Sequence, residues 1–113
     1  MNSLLNNLRL PLEIVARSEE VLVTEVTPFK DYIDGKPSEN IAGYKYNVVC
    51  PANKYEPLAV KIRQSQPTIN NEQIEAAGGS IKVTFVGFEG KFYRTSNGDY
   101  AFTAKADSME VLN

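Results

Sequence analysis

The sequence predicts a mostly β domain, built as a small five-stranded barrel with one short helix between strands three and four. Three observations lead to this prediction. Apolar and polar residues alternate over most of the chain, turn-forming residues separate the alternating runs, and one central segment carries helix-forming residues. The 113 residues suffice for one domain. We divide them into an N-terminal arm or extra edge strand over residues 1–20 and a single barrel domain over residues 21–113.

The first half of the chain predicts three strands. Residues 21–27 are rich in β-branched residues and end at a proline, which fits a first strand. Residues 28–43 hold several turn formers and little apolar content, so we expect a long loop there. Residues 44–50 and 58–64 alternate between apolar and polar side chains and predict strands two and three.

The second half predicts a helix and two further strands. Residues 70–79 begin with a candidate asparagine cap and end in two glycines, as a helix of about two turns does. Residues 81–95 alternate again, with internal glycines that predict a bend. Asn97-Gly98 is typical of a type I′ hairpin turn, which needs two positive φ angles, and residues 100–112 form the last strand.

This order of elements resembles the OB-fold, a five-stranded, partly open barrel. Another small β-barrel or a β-sandwich fragment is the alternative, because one sequence does not reveal strand order. We expect six aromatic residues in the core: Tyr44, Tyr46, Phe85, Phe92, Tyr100 and Phe102.

The composition argues against an enzyme. The chain has no histidine, so the commonest general base and metal ligand is missing. Its one cysteine, Cys50, alternates with Val48 and is expected to be a buried apolar residue. We therefore predict no catalytic residues, no metal site and no cofactor. No apolar run is long enough to span a membrane and the N-terminus lacks a basic signal region, so a cytoplasmic protein is expected.

Basic and aromatic residues are interleaved where a barrel of this kind binds a nucleic-acid strand. Cations neutralise phosphates, and aromatic rings stack on bases whatever their identity. Lysines and arginines on outer strand faces also serve solubility, and strand aromatics are more often core residues. Both interpretations stay open for the candidates, which are Lys45, Lys61, Arg63, Lys82, Tyr55, Tyr93, Arg94 and Phe29, with Tyr32 beside Phe29.

The charge distribution favours a single-stranded ligand over a duplex. The net charge is −2 and the pI is near 5.1, whereas duplex binders usually have strongly basic domains. Residues 44–105 nevertheless hold 8 basic and 5 acidic side chains. A groove for a single strand needs only such a local basic track.

Three segments resemble a known family. They are Tyr44-Lys45-Tyr46-Asn47-Val48-Val49, the strand that runs from Leu58 to Arg63, and the ending Tyr100-Ala101-Phe102-Thr103-Ala104-Lys105-Ala106-Asp107. Over residues 44–112 the chain resembles the YdcP-like, helicase-processivity type of small accessory proteins from Gram-positive conjugative elements and phages. The resemblance implies a non-enzymatic single-stranded DNA-binding protein in phage or mobile-element replication.

Several questions about partners stay open at this point. A helicase or another replication protein is the expected partner besides the single-stranded DNA, no membrane is expected, and a homo-oligomer is compatible with the sequence. The sequence does not distinguish DNA from RNA. The alternative function is a protein-binding module or small structural subunit, which would use the leucine-rich N-terminal arm or an open barrel edge.

Overall fold

Seven strands in one sheet make up most of residues 8–112, the part of the chain that the computed structural model describes. The strands are β1 (Val21–Ile33), β2 (Lys36–Cys50), β3 (Glu56–Ile62), β4 (Ile81–Val86), β5 (Glu89–Arg94), β6 (Tyr100–Ala106) and β7 (Ser108–Val111). Two short α-helices accompany them, α1 (Leu12–Val15) and α2 (Asn71–Ala76), and Pro51–Asn53 forms a 3₁₀ turn.

The strands are arranged in the order β5-β6-β3-β2-β1-β4-β7. All neighbouring strands are antiparallel except β3 and β6, which are parallel. The mostly β class is confirmed. The small barrel of five strands is not confirmed, because the structure has a single sheet of seven strands that is not closed. Part of the difference arises at Gly87-Phe88 and at Asp107, where two predicted strands break into β4 and β5 and into β6 and β7.

The prediction of a long loop over residues 28–43 is wrong. This segment forms the outer half of the β1–β2 hairpin, which we call the 28–43 hairpin. Asp34 and Gly35 have φ angles of 53° and 78°, the two positive values that a type I′ turn requires. The turn therefore takes only two residues, and Ile33 pairs directly with Lys36.

The turn predicted at Asn97-Gly98 does join two strands, but it is not type I′. Gly98 has a φ of 88°, whereas Asn97 stays outside the positive region. The Gly98 amide donates to the Thr95 carbonyl at 3.0 Å, and the Thr95 amide donates to the Asp99 carbonyl at 2.7 Å. This pattern is the longer hairpin connection in which a type I turn is followed by one left-handed glycine. This connection needs only one residue with a positive φ, and Gly98 supplies it.

The predicted helix is confirmed as α2, with its cap at Asn70. The Asn70 side chain accepts from the Gln73 amide at 2.9 Å, and the Gln73 side chain accepts from the Asn70 amide at 2.9 Å. The next residue, Asn71, bonds through its side chain to both the amide and the carbonyl of Val26. The Asn71 side chain thereby provides hydrogen-bond partners for backbone groups of β1 at a point where no neighbouring strand of the described region pairs with that edge. Neither helix of the described region, at four and six residues, is long and apolar enough to cross a membrane.

The core lies on the inner face of the strands and follows the predicted alternation. Tyr46 is fully buried in it, and its hydroxyl accepts from the Thr68 amide at 2.9 Å and donates to the Gln64 side chain. Cys50 is buried as expected, and burial raises the pKa of its thiol, which makes it a poor nucleophile.

Of the six aromatics expected inside, Tyr46 and Phe85 are buried, and Tyr44 and Phe102 are half-buried against the core. Phe92 is half-buried and packs edge-on against Phe102. The prediction for Tyr100 is wrong, because it lies at the strand end and is 41% exposed.

The N-terminal segment packs on the sheet over the part that the structure describes. Leu10 forms an isolated bridge with Gly90, through two backbone hydrogen bonds of 2.8 and 2.9 Å. Leu12 and Ala16 are buried in the core. Residues 17–20 then lead into β1. Residues 1–7 of the predicted arm lie outside the described residues.

One close approach between strands fixes the base of the 28–43 hairpin. Gly43 faces β3, and a methyl group there would lie 2.2 Å from the Ile62 carbonyl oxygen and 2.8 Å from a ring carbon of Phe29. A backbone oxygen cannot move aside as a flexible side chain can. Only glycine therefore lets the hairpin and β3 meet at this point.

Replacing Gly43 by alanine should lower the free energy of unfolding by about 2–4 kcal/mol, since strands β2 and β3 must separate to accommodate the methyl group. Urea denaturation monitored by circular dichroism measures the effect. Gly78→Ala is the control, because open space surrounds Gly78 and its positive φ costs about 1 kcal/mol. Equal losses in the two variants would contradict the close approach.

Candidate functional site

Three lysines lie side by side across the outer face of the sheet. Lys45 of β2 pairs with Lys61 of β3, and Lys61 pairs with Lys105 of β6. Residues directly opposite each other share a face, and neighbouring strands are about 4.8 Å apart. The three lysines therefore form one row perpendicular to the strands, about 10 Å long, which we call the lysine row.

The lysine row works against the stability of the sheet. Like charges directly opposite each other on neighbouring strands are destabilising. Two of the three lysines have compensating contacts: Lys105 lies 3.6 Å from Glu89 on β5, and the Lys61 ammonium lies 5.2 Å from the centre of the Phe29 ring. Within residues 8–112, Lys45 forms no salt bridge. Such a row of cations is well suited to an anionic ligand.

A cleft of about 520 Å³ opens beside the lysine row. The 28–43 hairpin forms one wall and β5 and β6 form the other. Between them the cleft is lined by Lys61 of β3 and by Arg63, which follows β3 directly. Five basic and three acidic side chains line the cleft, which leaves it net positive in a chain whose net charge is −2. The charged lining residues are Lys30, Asp31, Lys61, Arg63, Glu89, Lys91, Lys105 and Asp107.

Arg63 forms a two-pronged ion pair with Asp31 of the 28–43 hairpin. Its two terminal nitrogens donate to the two carboxylate oxygens at 3.0 and 2.5 Å. The hydrogen bond from Arg63, assisted by its charge and that of Lys61, lowers the pKa of Asp31 below the ordinary value of 3.8. The same contact raises the pKa of Arg63. Both groups are therefore charged at neutral pH.

Five of the predicted site residues lie on this outer face. Lys61, Arg63 and Phe29 line the cleft, and Lys45 stands next to Lys61 in the lysine row. Phe29 packs between cations, since Arg63 lies 6.0 Å from its ring centre. Tyr93 is on the same face of β5 as Lys91, two residues away, and its side chain is 46% exposed. It extends this surface beyond the cleft.

The other three predicted residues are elsewhere. Lys82 of β4 pairs with Leu22 and lies 3.7 Å from Glu20, outside the cleft. Tyr55 precedes β3 at the end opposite Arg63, eight residues and on the order of 25 Å away along the strand. Arg94 points to the opposite face of β5 from Tyr93. The structure does not bring these three together with the cleft.

Sequence reasoning missed Lys30, Lys91 and Lys105. The alternation of Lys105 with the buried Ala104 and Ala106 was a usable signal that this lysine faces outward. What the sequence does not contain is the parallel pairing of β3 with β6, which joins residues 44 positions apart. Tyr32, noted beside Phe29, also lines the cleft and is 74% exposed.

Comparison with protein-family models gives no match, and comparison with curated protein sequences gives no significant match either.

The Asp31–Arg63 pair should be visible in a carbon-detected NMR titration of the Asp31 carboxyl group. We expect a midpoint below 3.8 in the parent protein and a higher one in Arg63→Gln, because Arg63 is the main cause of the lowered pKa. A lowered pKa stabilises the paired state at neutral pH, and this contribution disappears as the pH falls through that pKa. Lys61→Gln, the control, should move the midpoint less. An unchanged midpoint in Arg63→Gln would contradict the pairing.

Proposed function

We propose that this chain is a non-enzymatic protein that binds single-stranded nucleic acid, most simply single-stranded DNA, on the outer face of its sheet. One observation carries the proposal: Lys45, Lys61 and Lys105 are aligned across three adjacent strands beside a net positive cleft. A surface for non-specific binding of single strands combines a basic track with rings on which bases stack. Phe29, Tyr32 and Tyr93 supply those rings.

In this proposal the sugar-phosphate backbone crosses the strands along the lysine row. Lys61 occupies the centre of the row, and Arg63 lies two residues further along the chain, directly after the end of β3. The two exposed tyrosines lie on either side, Tyr32 on the 28–43 hairpin and Tyr93 on β5. Bases turned away from the phosphate track can stack on either ring. The surface contacts phosphates and the flat faces of bases, which every sequence has, so it has little preference for sequence.

The strand connections support an OB-like barrel for this chain. The two ends of the sheet, β5 and β7, continue directly from β4 and β6 in the chain, so five continuous runs account for all seven strands. The runs are β1, β2, β3, β4 with β5, and β6 with β7. Run one pairs with run two, and run two with run three. Run three pairs in parallel with run five, run five pairs with run four, and run four pairs with run one. The helix α2 lies between runs three and four, where OB-folds often carry one.

The biological setting that we propose comes from the family resemblance in residues 44–112. It is an accessory role in the replication of a phage or mobile element, with a helicase or another replication protein as partner. The lysines in the resembling segments, Lys45, Lys61 and Lys105, are the ones that form the lysine row.

The first test is fluorescence anisotropy with a labelled oligo-dT of about 30 nucleotides, long enough for typical site sizes. We expect affinity to fall with salt at a log–log slope near −0.7 per neutralised phosphate, and binding to a duplex of equal length to be weaker. Labelled oligo-U as a third probe distinguishes DNA from RNA preference. Absence of binding at low salt would overturn the proposal.

Reversing two charges at the cleft should abolish most binding. Lys61→Glu with Arg63→Glu should weaken oligo-dT binding at least about tenfold and reduce the salt slope by about 1.4, since two phosphate contacts are lost. The control is Lys54→Glu with Lys82→Glu, which gives the same net charge outside the cleft. Circular dichroism verifies that both variants are folded. Equal losses in the two double variants would mean that net charge, not the cleft, governs affinity.

The exposed rings give a separate prediction. Tyr32→Ala and Tyr93→Ala should each weaken oligo-dT binding by about 1–3 kcal/mol, the usual contribution of one stacked base. Tyr55→Ala serves as control, because Tyr55 is also exposed but lies at the far end of β3. Anisotropy titrations at one fixed salt concentration compare the three variants. A loss in Tyr55→Ala as large as the others would relocate the stacking surface.

A protein-binding module is the second candidate, and the tip of the 28–43 hairpin favours it. Ile33 is 63% exposed and Ile41 is 48% exposed, and both lie in the part of the hairpin that pairs with no other strand of the described region. Exposed apolar residues on an open strand edge are a common basis for strand addition by a partner. This candidate takes precedence if oligo-dT, oligo-U and duplex all fail to bind.

A further inference from the structure

We propose that the Asp31 carboxylate occupies, in the free protein, the place that a phosphate group takes at Arg63 when a single strand binds. Asp31 is then an internal competitor that determines the affinity and selectivity of the cleft. This inference rests on the proposed nucleic-acid-binding function and assigns a specificity-determining residue within that same site.

The geometry of the ion pair is the first argument. The planar guanidinium of Arg63 donates two bonds, at 3.0 and 2.5 Å, to the two oxygens of one carboxylate. A phosphate presents two oxygens to an arginine in the same two-pronged manner. The Asp31 side chain thus fills a site whose donors fit a nucleic-acid backbone equally well.

The exposure of the pair is the second argument. The Arg63 and Asp31 side chains are 67% and 47% exposed. An ion pair that exposed contributes little net stability, since water and salt compensate for its loss. A phosphate can therefore displace the carboxylate without unfolding the sheet. The core residues Val60 and Ile62, on the other face of β3, keep their contacts.

The shape of the 28–43 hairpin is the third argument. The pairing of β1 with β2 shifts register between Phe29 and Lys30 and again between Lys30 and Tyr32. Such bulges bend a strand and change the direction of its side chains. As a result, four consecutive residues, from Phe29 to Tyr32, line the cleft, and Asp31 reaches Arg63. A regular strand would alternate these side chains between two faces.

A tethered competitor also makes the cleft selective for polyanions. A carboxylate held on the same chain has a high effective concentration, so a simple monovalent anion competes with it poorly. A single strand engages Lys45, Lys61 and Lys105 at the same time as Arg63, and these added contacts compensate for the lost ion pair. The cleft therefore favours a chain of phosphates over a single anion.

The test is a set of oligo-dT titrations by fluorescence anisotropy at low salt. Asp31→Asn should bind about threefold to tenfold more tightly than the parent, because it keeps the shape of the side chain and removes the competing charge. Glu20→Gln is the matched control, since it removes the same charge from an exposed ion pair with Lys82, which lies outside the cleft. Its gain should be less than about twofold. Asp31→Ser repeats the test with a smaller side chain.

The same titrations in an Arg63→Gln background complete the cycle. We expect the gain from Asp31→Asn to disappear there, because no guanidinium is left to release, whereas the small gain from Glu20→Gln should persist. Equal gains from the two acidic variants, or a gain from Asp31→Asn that survives without Arg63, would overturn the inference and leave the proposed function intact. If the parent itself does not bind oligo-dT, the proposed function fails and the inference fails with it.

Discussion

Two residue pairs between β3 and β6 join the β5–β6 hairpin to the rest of the sheet. On the inner face Ile62 pairs with Ala106, and both are buried. On the outer face Lys61 pairs with Lys105, and this contact joins the second and third strands of the sheet order. Burying an isoleucine side chain contributes about 1.5–3 kcal/mol, whereas a pair of like charges on a sheet costs a few tenths to about 1 kcal/mol. The apolar contact thus stabilises the register that places two lysines together.

This parallel contact also determines which parts of the chain form the cleft. The β1–β2–β3 meander and the β5–β6 hairpin are separate in sequence, and they meet side by side through β3 and β6. The meander and the hairpin each contribute only a few basic residues to the cleft. Their combination gives a net positive surface on a chain of net charge −2. The acidic residues outside the cleft weaken long-range attraction to any polyanion, so binding depends on close contact with the basic face.

The sequence was informative wherever the deciding interaction is local. The alternation in residues 44–50 and 58–64 predicted which side chains of β2 and β3 face the core, and the asparagine cap with the two glycines at its end predicted α2. The 28–43 hairpin was missed because its prolines, serine and asparagine have the composition of a loop. In the structure Asp34-Gly35 alone makes the turn, and Pro28 and Pro37 lie in paired strands.

The candidate site was predicted in part for the same reason. Lys61 and Arg63 were identified from the outward face of one strand. Lys105 and Lys91 were not, since their nearness to β3 depends on a pairing between strands far apart in the chain. Residue type alone likewise did not separate Tyr93, which shares the face of the cleft, from Tyr55, which is more exposed but distant.

The 28–43 hairpin has one further physical consequence. On the tip side of Gly43 the backbones of the two strands pair with each other and with no other strand of residues 8–112, whereas residues 44–50 of β2 are paired on both sides. Opening the outer half breaks one ladder of backbone bonds and exposes little apolar core. The amide protons of residues 30–41 should therefore exchange with solvent through local opening, well before those of Tyr46 and Val48, whose exchange requires the whole sheet to open. The hairpin and the sheet thus behave as separate units of local stability, although they share the same two strands.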